Sequence, residues 1–427
     1  MKKYVISLIF ASITLYASDK VTFSEMGNTS CSVSFEKLVI DGLESYPSIQ
    51  MSKETIKGAS FEVDTAKWGY YPSPSVDYSM KSTDKERLVV RLEQPIWTGG
   101  KLDSAHKQAK AKEQQAKYEL DENRYKLIDN YVLALKEYLK TQDKIKALNF
   151  NKKQYYDLSE MLDRFMEAGE LSQTDKNLLN SRIAALSSDL IITKAQYKVS
   201  LIQLEILTGR KINCQIGFEP KSALSLQIDA DRLVEELQTF HPSLKMMDAK
   251  IQAAVAEVDS AKAKLWPSLV LRGEHVRGTI YDDDTDPENE NLVYLNLNIS
   301  TGAGLSGLSN IDKAKVAISR TKFEKSTKQK ELLDELMADY TNYISAMSQL
   351  QVVEEDIKTA ELIYESNQRL FTSQKKSWLD LVNSLSELSK QRIKYVELLV
   401  DRDVLEYKIA LKTGRVNLQT LEVASGI

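Results

Sequence analysis

Only two cysteines, eight prolines and sixteen glycines occur among 427 residues, too few for a disulfide scaffold, a collagen-like fibre or a chain dominated by tight turns. Scarcity of both helix breakers favours long helices. The three histidines, His106, His241 and His275, are widely spaced, and no pair has the spacing of metal ligands. With a net charge of −4 and a pI near 5.7, the chain lacks the basic stripe that nucleic acid demands. Neither a Gly-x-Ser-x-Gly elbow nor a Cys/His pairing is present, so no catalytic residue, metal site or cofactor is expected. Past the N-terminus there is no run of about 18 apolar residues, and hence no predicted transmembrane helix.

The chain opens Met1-Lys2-Lys3, stays apolar from Tyr4 to about Tyr16, and reaches Ala17 before Ser18-Asp19-Lys20. A charged start, a short apolar core and a small residue at the cut predict a secretory signal peptide over residues 1–17 and an N-terminal extension over 18–34. Export implies an oxidising compartment, which makes Cys31 and Cys214 candidates for one disulfide, with two free thiols as the alternative.

The stretch Tyr46 to Val76 returns as His241 to Val270, with the matched motifs at an offset of 195. Pro47-Ser48 matches Pro242-Ser243, Glu62-Val63-Asp64 matches Glu257-Val258-Asp259, and Pro72-Ser73 matches Pro267-Ser268. Both copies finish alike, Leu207-Thr208-Gly209-Arg210 against Lys412-Thr413-Gly414-Arg415. One unit was built twice, and a unit that cannot bury its own apolar face stacks on neighbours. The first repeat is placed at 35–210 and the second at 233–415, joined by a linker at 211–232 and followed by a tail at 416–427.

Each repeat reads as helix, β-hairpin, Gly-rich joint and long helical hairpin. Ser34 can cap a helix that ends near Tyr46-Pro47, and a second helix runs from Ser48 to about Tyr71 before Pro72 and Pro74. Strands follow at about 75–97 and about 268–300: Leu88, Val90 and Leu92 alternate with Val89, Arg91 and Glu93, and Val293, Leu295 and Leu297 with Tyr294, Asn296 and Asn298. About ten residues per strand, apolar on one face and polar on the other, is the length of a tilted bilayer-spanning strand. Helical hairpins are expected at about 101–208 and about 305–412. Lys101 to Phe165 contains neither proline nor glycine, and at ~1.5 Å per residue its first helix would extend roughly 100 Å.

Several motifs have bland readings that outweigh the functional ones. Gly302-Ala303-Gly304-Leu305-Ser306-Gly307 spells a dinucleotide fingerprint, but the strand before it alternates and the helix after it has no returning strand, so a strand-to-helix joint is expected. Asp282-x-Asp284-x-Asp286 opens like a calcium loop, yet Pro287 stands at the glycine position and Val293 at that of the bidentate glutamate. The spaced tyrosines, such as Tyr131 and Tyr138, read as packing, and Lys107 to Lys117 as a solvated face. Trp97 and Trp266 fall at strand ends, where a bilayer interface favours indole and ordinary packing also accommodates it.

Two hairpins supply four strands, and four cannot close a barrel. A lipid-facing edge would leave backbone amides unpaired, so the strands must join those of other copies. On these features the chain resembles the TolC-like outer-membrane efflux protein family over nearly all of its mature length. The resemblance rests on the duplication, the Glu-Val-Asp-x-Ala-Lys helices ending at Pro72 and Pro267, the Thr-Gly joints, Gly169-Glu170-Leu171-Ser172 at the first hairpin tip, and Leu-Thr-Gly near the first repeat's end. It implies a mainly α fold, with helical hairpins forming an α-barrel and four strands per chain entering a twelve-stranded barrel of a homotrimer. It further implies the outer membrane of a Gram-negative bacterium, a long periplasmic portion, a periplasmic adaptor and, indirectly, an inner-membrane pump or ABC transporter.

The same resemblance implies site residues. Asp380 and Asn383 fall in the segment of the periplasmic constriction, with asparagine where the family has a second acid. Thr174, Asp175, Lys376 and Phe371 fall at the gate links, Lys376 in place of arginine and Phe371 in place of a hydrogen-bonding tyrosine. An Asp175–Lys376 ion pair is expected there. Gly169, Glu170, Leu171, Ser172, Gln374 and Lys375 fall at tips expected to contact the adaptor. Drug efflux and type I protein secretion stay unresolved. A soluble periplasmic coiled-coil scaffold or a surface structural protein remains as the alternative class, and a nucleotide-dependent enzyme rests on Gly302 to Gly307 alone.

Overall fold

The computed structural model describes residues 31–80, 85–169, 171–218, 229–279, 289–300 and 302–425. The expected signal peptide, Glu170, the Ca-loop-like segment at 282–288 and residues 219–228 of the linker lie outside these.

The duplication is carried through element by element. The first copy holds α1 (Phe35–Ser45), α2 (Pro47–Trp68), β2 (Ser73–Met80), β3 (Glu86–Trp97), α3 (Lys101–Glu167) and α4 (Gln173–Thr208). The second holds α5 (Ala230–Phe240), α6 (Pro242–Ala263), β5 (Ser268–Arg277), β6 (Asn289–Asn298), α7 (Ser306–Thr372) and α8 (Trp378–Thr413). Helix lengths repeat at 11, 22, 67 and 36 residues. An offset of 195 separates Phe35 from Ala230, and one of 205 separates Gln173 from Trp378, so the second copy gained ten residues between β5 and α7.

Local chemistry sets the helix ends. Ser34 Oγ accepts from the Lys37 N–H at 3.3 Å and caps α1. Pro47 and Pro242 force the residues before them out of the helical region, Tyr46 to ψ 131° and His241 to ψ 124°, and each proline then occupies the first turn of the next helix. α2 stops at Trp68 rather than Tyr71, because Gly69, Tyr70 and Tyr71 close a turn ahead of the two prolines.

Strands β2, β3, β5 and β6 form one antiparallel sheet in that order, with Val76 opposite Val90, Arg91 opposite Glu274 and Leu271 opposite Leu295. β1 (Ser32–Ser34) pairs in parallel with β4 (Gln215–Gly217). Beside that pair Cys31 and Cys214 are disulfide-bonded, Cα to Cα 5.0 Å.

The chain divides into two compact units, and α3, α4, α7 and α8 run through both. One comprises Thr141–Ala195 and Glu355–Val396, around a core of Tyr155, Leu158, Leu162, Leu179, Phe371, Trp378 and Leu381. The other contains the remaining described residues. Its larger core centres on Phe35, Val39, Ile128, Tyr131, Leu135 and Tyr138, and a smaller one gathers Leu233, Leu237, Leu336 and Ile409. α1 lies so close to α3 that a Cβ on Gly42 would come within 1.7 Å of Tyr131 Oη. The expected tail contains a further helix, α9 (Leu418–Ser425), which packs on α1 and buries Leu421. Asn417 and Thr420 cap it reciprocally, the Thr420 N–H donating to Asn417 Oδ1 at 3.0 Å and the Asn417 N–H to Thr420 Oγ1 at 2.8 Å.

Candidate functional site

Three places concentrate the chemistry: the tips of the helical hairpins, the sheet, and the ends of the repeats. At the tips, the turns α3–α4 and α7–α8 are built by one device. Ser172 Oγ donates to Asp175 Oδ2 at 2.8 Å while the Asp175 N–H returns to Ser172 Oγ, and Ser377 Oγ donates to Asp380 Oδ2 at 2.7 Å while the Asp380 N–H returns at 3.1 Å. These are capping boxes, in which side chains satisfy the free amides of a helix start. The Ser377 hydroxyl, with its backbone N–H and the nearby Lys376 ammonium, holds the Asp380 carboxyl below the usual carboxylate range.

The expected Asp175–Lys376 ion pair is not formed. The Asp175 carboxylate is committed to the cap of its own helix, although both residues line one pocket of about 510 Å³ with Phe165, Phe371, Trp378 and Leu379. Phe371 is buried, its ring 4.9 Å from that of Phe165, so it packs where a hydroxyl would have bonded. Thr174 and Asn383 are exposed, and Asn367 Nδ2 donates to the Asp380 carbonyl at 3.4 Å. Among the tip residues Gly169, Ser172, Gln374 and Lys375 are exposed and Leu171 half-buried against the core. Gly169 has φ +78°; its counterpart in the second repeat is Gln374, held at φ +57° in the left-handed region that disfavours a side chain.

On one face of the sheet charges interlock: Arg91 bonds Asp77 and Glu274, Arg272 pairs with Glu93 at 2.6 Å, and Tyr294 Oη donates to Glu274 at 3.0 Å. The opposite face carries Val76, Tyr78, Val90, Leu92, Leu271, Val293, Leu295 and Leu297, all exposed. Strands β2 and β6 are its edges. Trp97 and Trp266 are exposed at strand ends, and Gly99, at φ +59°, lets the joint approach Trp266. Gly302 and Gly304 likewise have positive φ between β6 and α7, as a strand-to-helix joint requires.

At the repeat ends lies a feature the sequence reading missed. Arg210 Nη1 donates to Asp41 at 2.9 Å, and Arg415 Nε donates to Glu236 at 2.9 Å, the same contact in each copy. The recurring Thr-Gly-Arg, with an acid at the same place in α1 and α5, was its signal. The histidines stay apart: His106 is in α3, His275 faces Asn291 in the sheet at 2.8 Å, and His241 Nδ1 accepts from the Ser243 N–H at 3.3 Å to cap α6. Burial, with the Lys328 and Lys412 ammoniums, pushes the His241 pKa down to about 4. Among the described residues no helix is long and apolar enough to cross a membrane, and no cluster suits a metal ion.

Comparison with known proteins agrees with this geometry. Residues 233–414 match the family Outer membrane efflux protein. Solved structures similar to the chain include CusC, studied for transmembrane channel formation, at 13% identity and a TM-score of 0.76, with 89% of this chain and 91% of that one covered. VceC, an outer membrane protein of Vibrio cholerae, follows at 14%, 0.75, 89% and 96%. The CmeC outer membrane channel of Campylobacter jejuni stands at 13%, 0.72, 92% and 89%. No curated protein sequence matches. The family match covers the second repeat, and the structural matches show that the chain shares the TolC-like fold of these outer membrane proteins.

Proposed function

We propose that the chain is one protomer of a trimeric outer-membrane exit duct that receives its cargo through a periplasmic adaptor and an energised inner-membrane transporter. One observation carries this: a four-stranded antiparallel sheet with two open edges, charged on one face and apolar and exposed on the other. β2 and β6 run in opposite directions, so β6 of one copy can pair antiparallel with β2 of the next, and the barrel closes with the charged face inward. Twelve strands result from three copies.

Exposed apolar stripes support the same assembly. Met51, Phe61 and Trp68 on α2, Val199, Ile202 and Ile206 on α4, and Val316, Phe323 and Val352 on α7 are left uncovered in the single chain and are available to neighbouring copies. In this reading Asp380 and Asn383 face the periplasmic constriction, and Thr174, Asp175, Lys376 and Phe371 lie at the gate, where Phe371 packs on Phe165 of the other hairpin. Gly169 to Ser172, Gln374 and Lys375 meet the adaptor.

Planar-bilayer recording of the purified mature protein tests the reading. Discrete conductance steps are expected. A preparation that extracts without detergent and never conducts would favour the periplasmic scaffold instead.

A further inference from the structure

Arg392, on α8, is buried where the two helical hairpins of the tip unit meet, its side chain only 7% exposed. A guanidinium taken out of water is costly unless its donors are met. Nη2 donates to Glu361 Oε1 on α7, within the second hairpin, and Nη1 donates to Gln154 Oε1 on α3, in the first, both at 2.7 Å. The cation also lies over the Phe150 ring of α3, 4.8 Å from its centroid. One turn earlier on each helix, Asn151 Nδ2 donates to the Ser389 carbonyl at 3.2 Å, a second polar bond across the same seam. The seam is not fully satisfied, since Arg392 Nε and Asn151 Oδ1 are buried without a partner among the described residues. Parting α8 from α3 would hydrate both groups, which lowers the cost of opening. The duplicated scaffold does not require this clamp. At the offset of 205 that relates α7 and α8 to α3 and α4, Arg392 corresponds to Ser187, whose hydroxyl donates to the Ile183 carbonyl of its own helix at 2.8 Å. Phe150, Asn151 and Gln154 correspond to Glu355, Asp356 and Thr359, all exposed. Both repeats build helices of 67 and 36 residues, one of them without the guanidinium.

We propose that Arg392 is a latch: it holds the second helical hairpin against the first through Gln154 and Phe150, and so limits how far the two tips part. The proposal deepens the duct reading by naming what restrains its gate. Arg392 follows Asp380 by 12 residues (392 minus 380), roughly 18 Å along α8 at the helical rise, so the latch acts away from the tips and the candidate constriction. Its bond to Glu361 stays inside one hairpin and survives a movement of the hairpins as bodies. Its contacts with α3 do not. Two bonds of equal length therefore differ in consequence, because only the one to Gln154 resists opening.

The test measures tip separation by double electron–electron resonance in the full protein in lipid nanodiscs, with spin labels at Asn180→Cys on α4 and Gln368→Cys on α7, both exposed positions. The bridged Cys31 and Cys214 take no label. Doubly labelled chain is diluted into unlabelled chain by co-expression, and each latch substitution is carried by every copy. Gln154→Leu is expected to raise the ratio of wide to narrow distances at least about fivefold, whereas Glu361→Gln is expected to leave it within about twofold. Arg392→Met is expected to widen the tips as Gln154→Leu does, and Gln154→Leu decides alone if Arg392→Met does not fold. No current is recorded, so the outcome stands apart from the channel reading. Distances unchanged in Gln154→Leu overturn the proposal. Equal widening in Gln154→Leu and Glu361→Gln overturns it too, and leaves Arg392 as a packing element only.

Discussion

The ion pair that ends each repeat was built twice in different surroundings, which makes its strength predictable. Arg210 is 70% exposed and reaches Asp41 through one nitrogen, whereas Arg415 is 20% exposed and grips Glu236 with two, Nε to Oε2 at 2.9 Å and Nη2 to Oε1 at 3.1 Å. A solvated single contact is worth about 0.2–1 kcal/mol. A forked, half-buried one with charged hydrogen bonds is worth roughly 1.5–3 kcal/mol. Double-mutant cycles, Arg210→Met with Asp41→Asn and Arg415→Met with Glu236→Gln, are therefore expected to give coupling energies near ~0.5 and ~2 kcal/mol. Hydrogen exchange of the α1 and α5 amides reports each coupling locally. Arg415 also holds the Glu236 carboxyl below its usual range. A carboxylate so depressed adds stability above about pH 4.3, its unfolded value, and loses it as pH falls through the folded value. Equal couplings, or a stronger Arg210 pair, would refute the reasoning that burial and forked geometry set the strength.

Four further outcomes are expected. His241 takes up its proton at about 4 when folded and about 6.5 when unfolded, so acid favours the unfolded chain from pH 6.5 downward, by on the order of 2 kcal/mol near pH 4 after allowance for partial exposure. His241→Asn, which keeps a capping side chain, should flatten that slope in thermal melts at pH 7 and pH 4.5. Gln374→Gly should stabilise the second tip by about 1 kcal/mol and Gly169→Ala should destabilise the first by a similar amount, read from exchange of tip amides. Reducing Cys31–Cys214, which closes a loop of 183 residues, should cost up to about 5 kcal/mol on the chain-entropy account, visible as a lower melting temperature in dithiothreitol. Asp380→Asn should weaken block of the pore by divalent cations in planar bilayers, and unchanged block would remove Asp380 from the constriction.

Most of the fold was legible because its signals are local and doubled. Prolines 47, 72, 242 and 267 announced helix boundaries within a few residues, and the offset of 195 assigned one copy from the other. The strand faces followed from alternation at Leu88 to Glu93 and Val293 to Asn298. What escaped was either short or dependent on distant partners. Helix α9 has eight residues, too few for periodicity to speak, and its stability comes from packing on α1. The Ser-x-x-Asp pattern at Ser172 and Ser377 was visible as a capping signature, yet reading Asp175 as a partner of Lys376 passed over the nearer claim of its own helix end. The unpartnered Trp378 indole N–H was hidden because a buried donor shows only when the neighbours are in place.

The central claim is that the open sheet edges β2 and β6 meet those of sister chains in lipid. Counting the chains in the mature protein, extracted from the outer membrane and held in nanodiscs, by native mass spectrometry tests it most directly. Three chains per particle, falling to one when prolines are placed along the outward N–H groups of β6, is the expected result. A single chain per particle, or trimers indifferent to those prolines, would contradict the account.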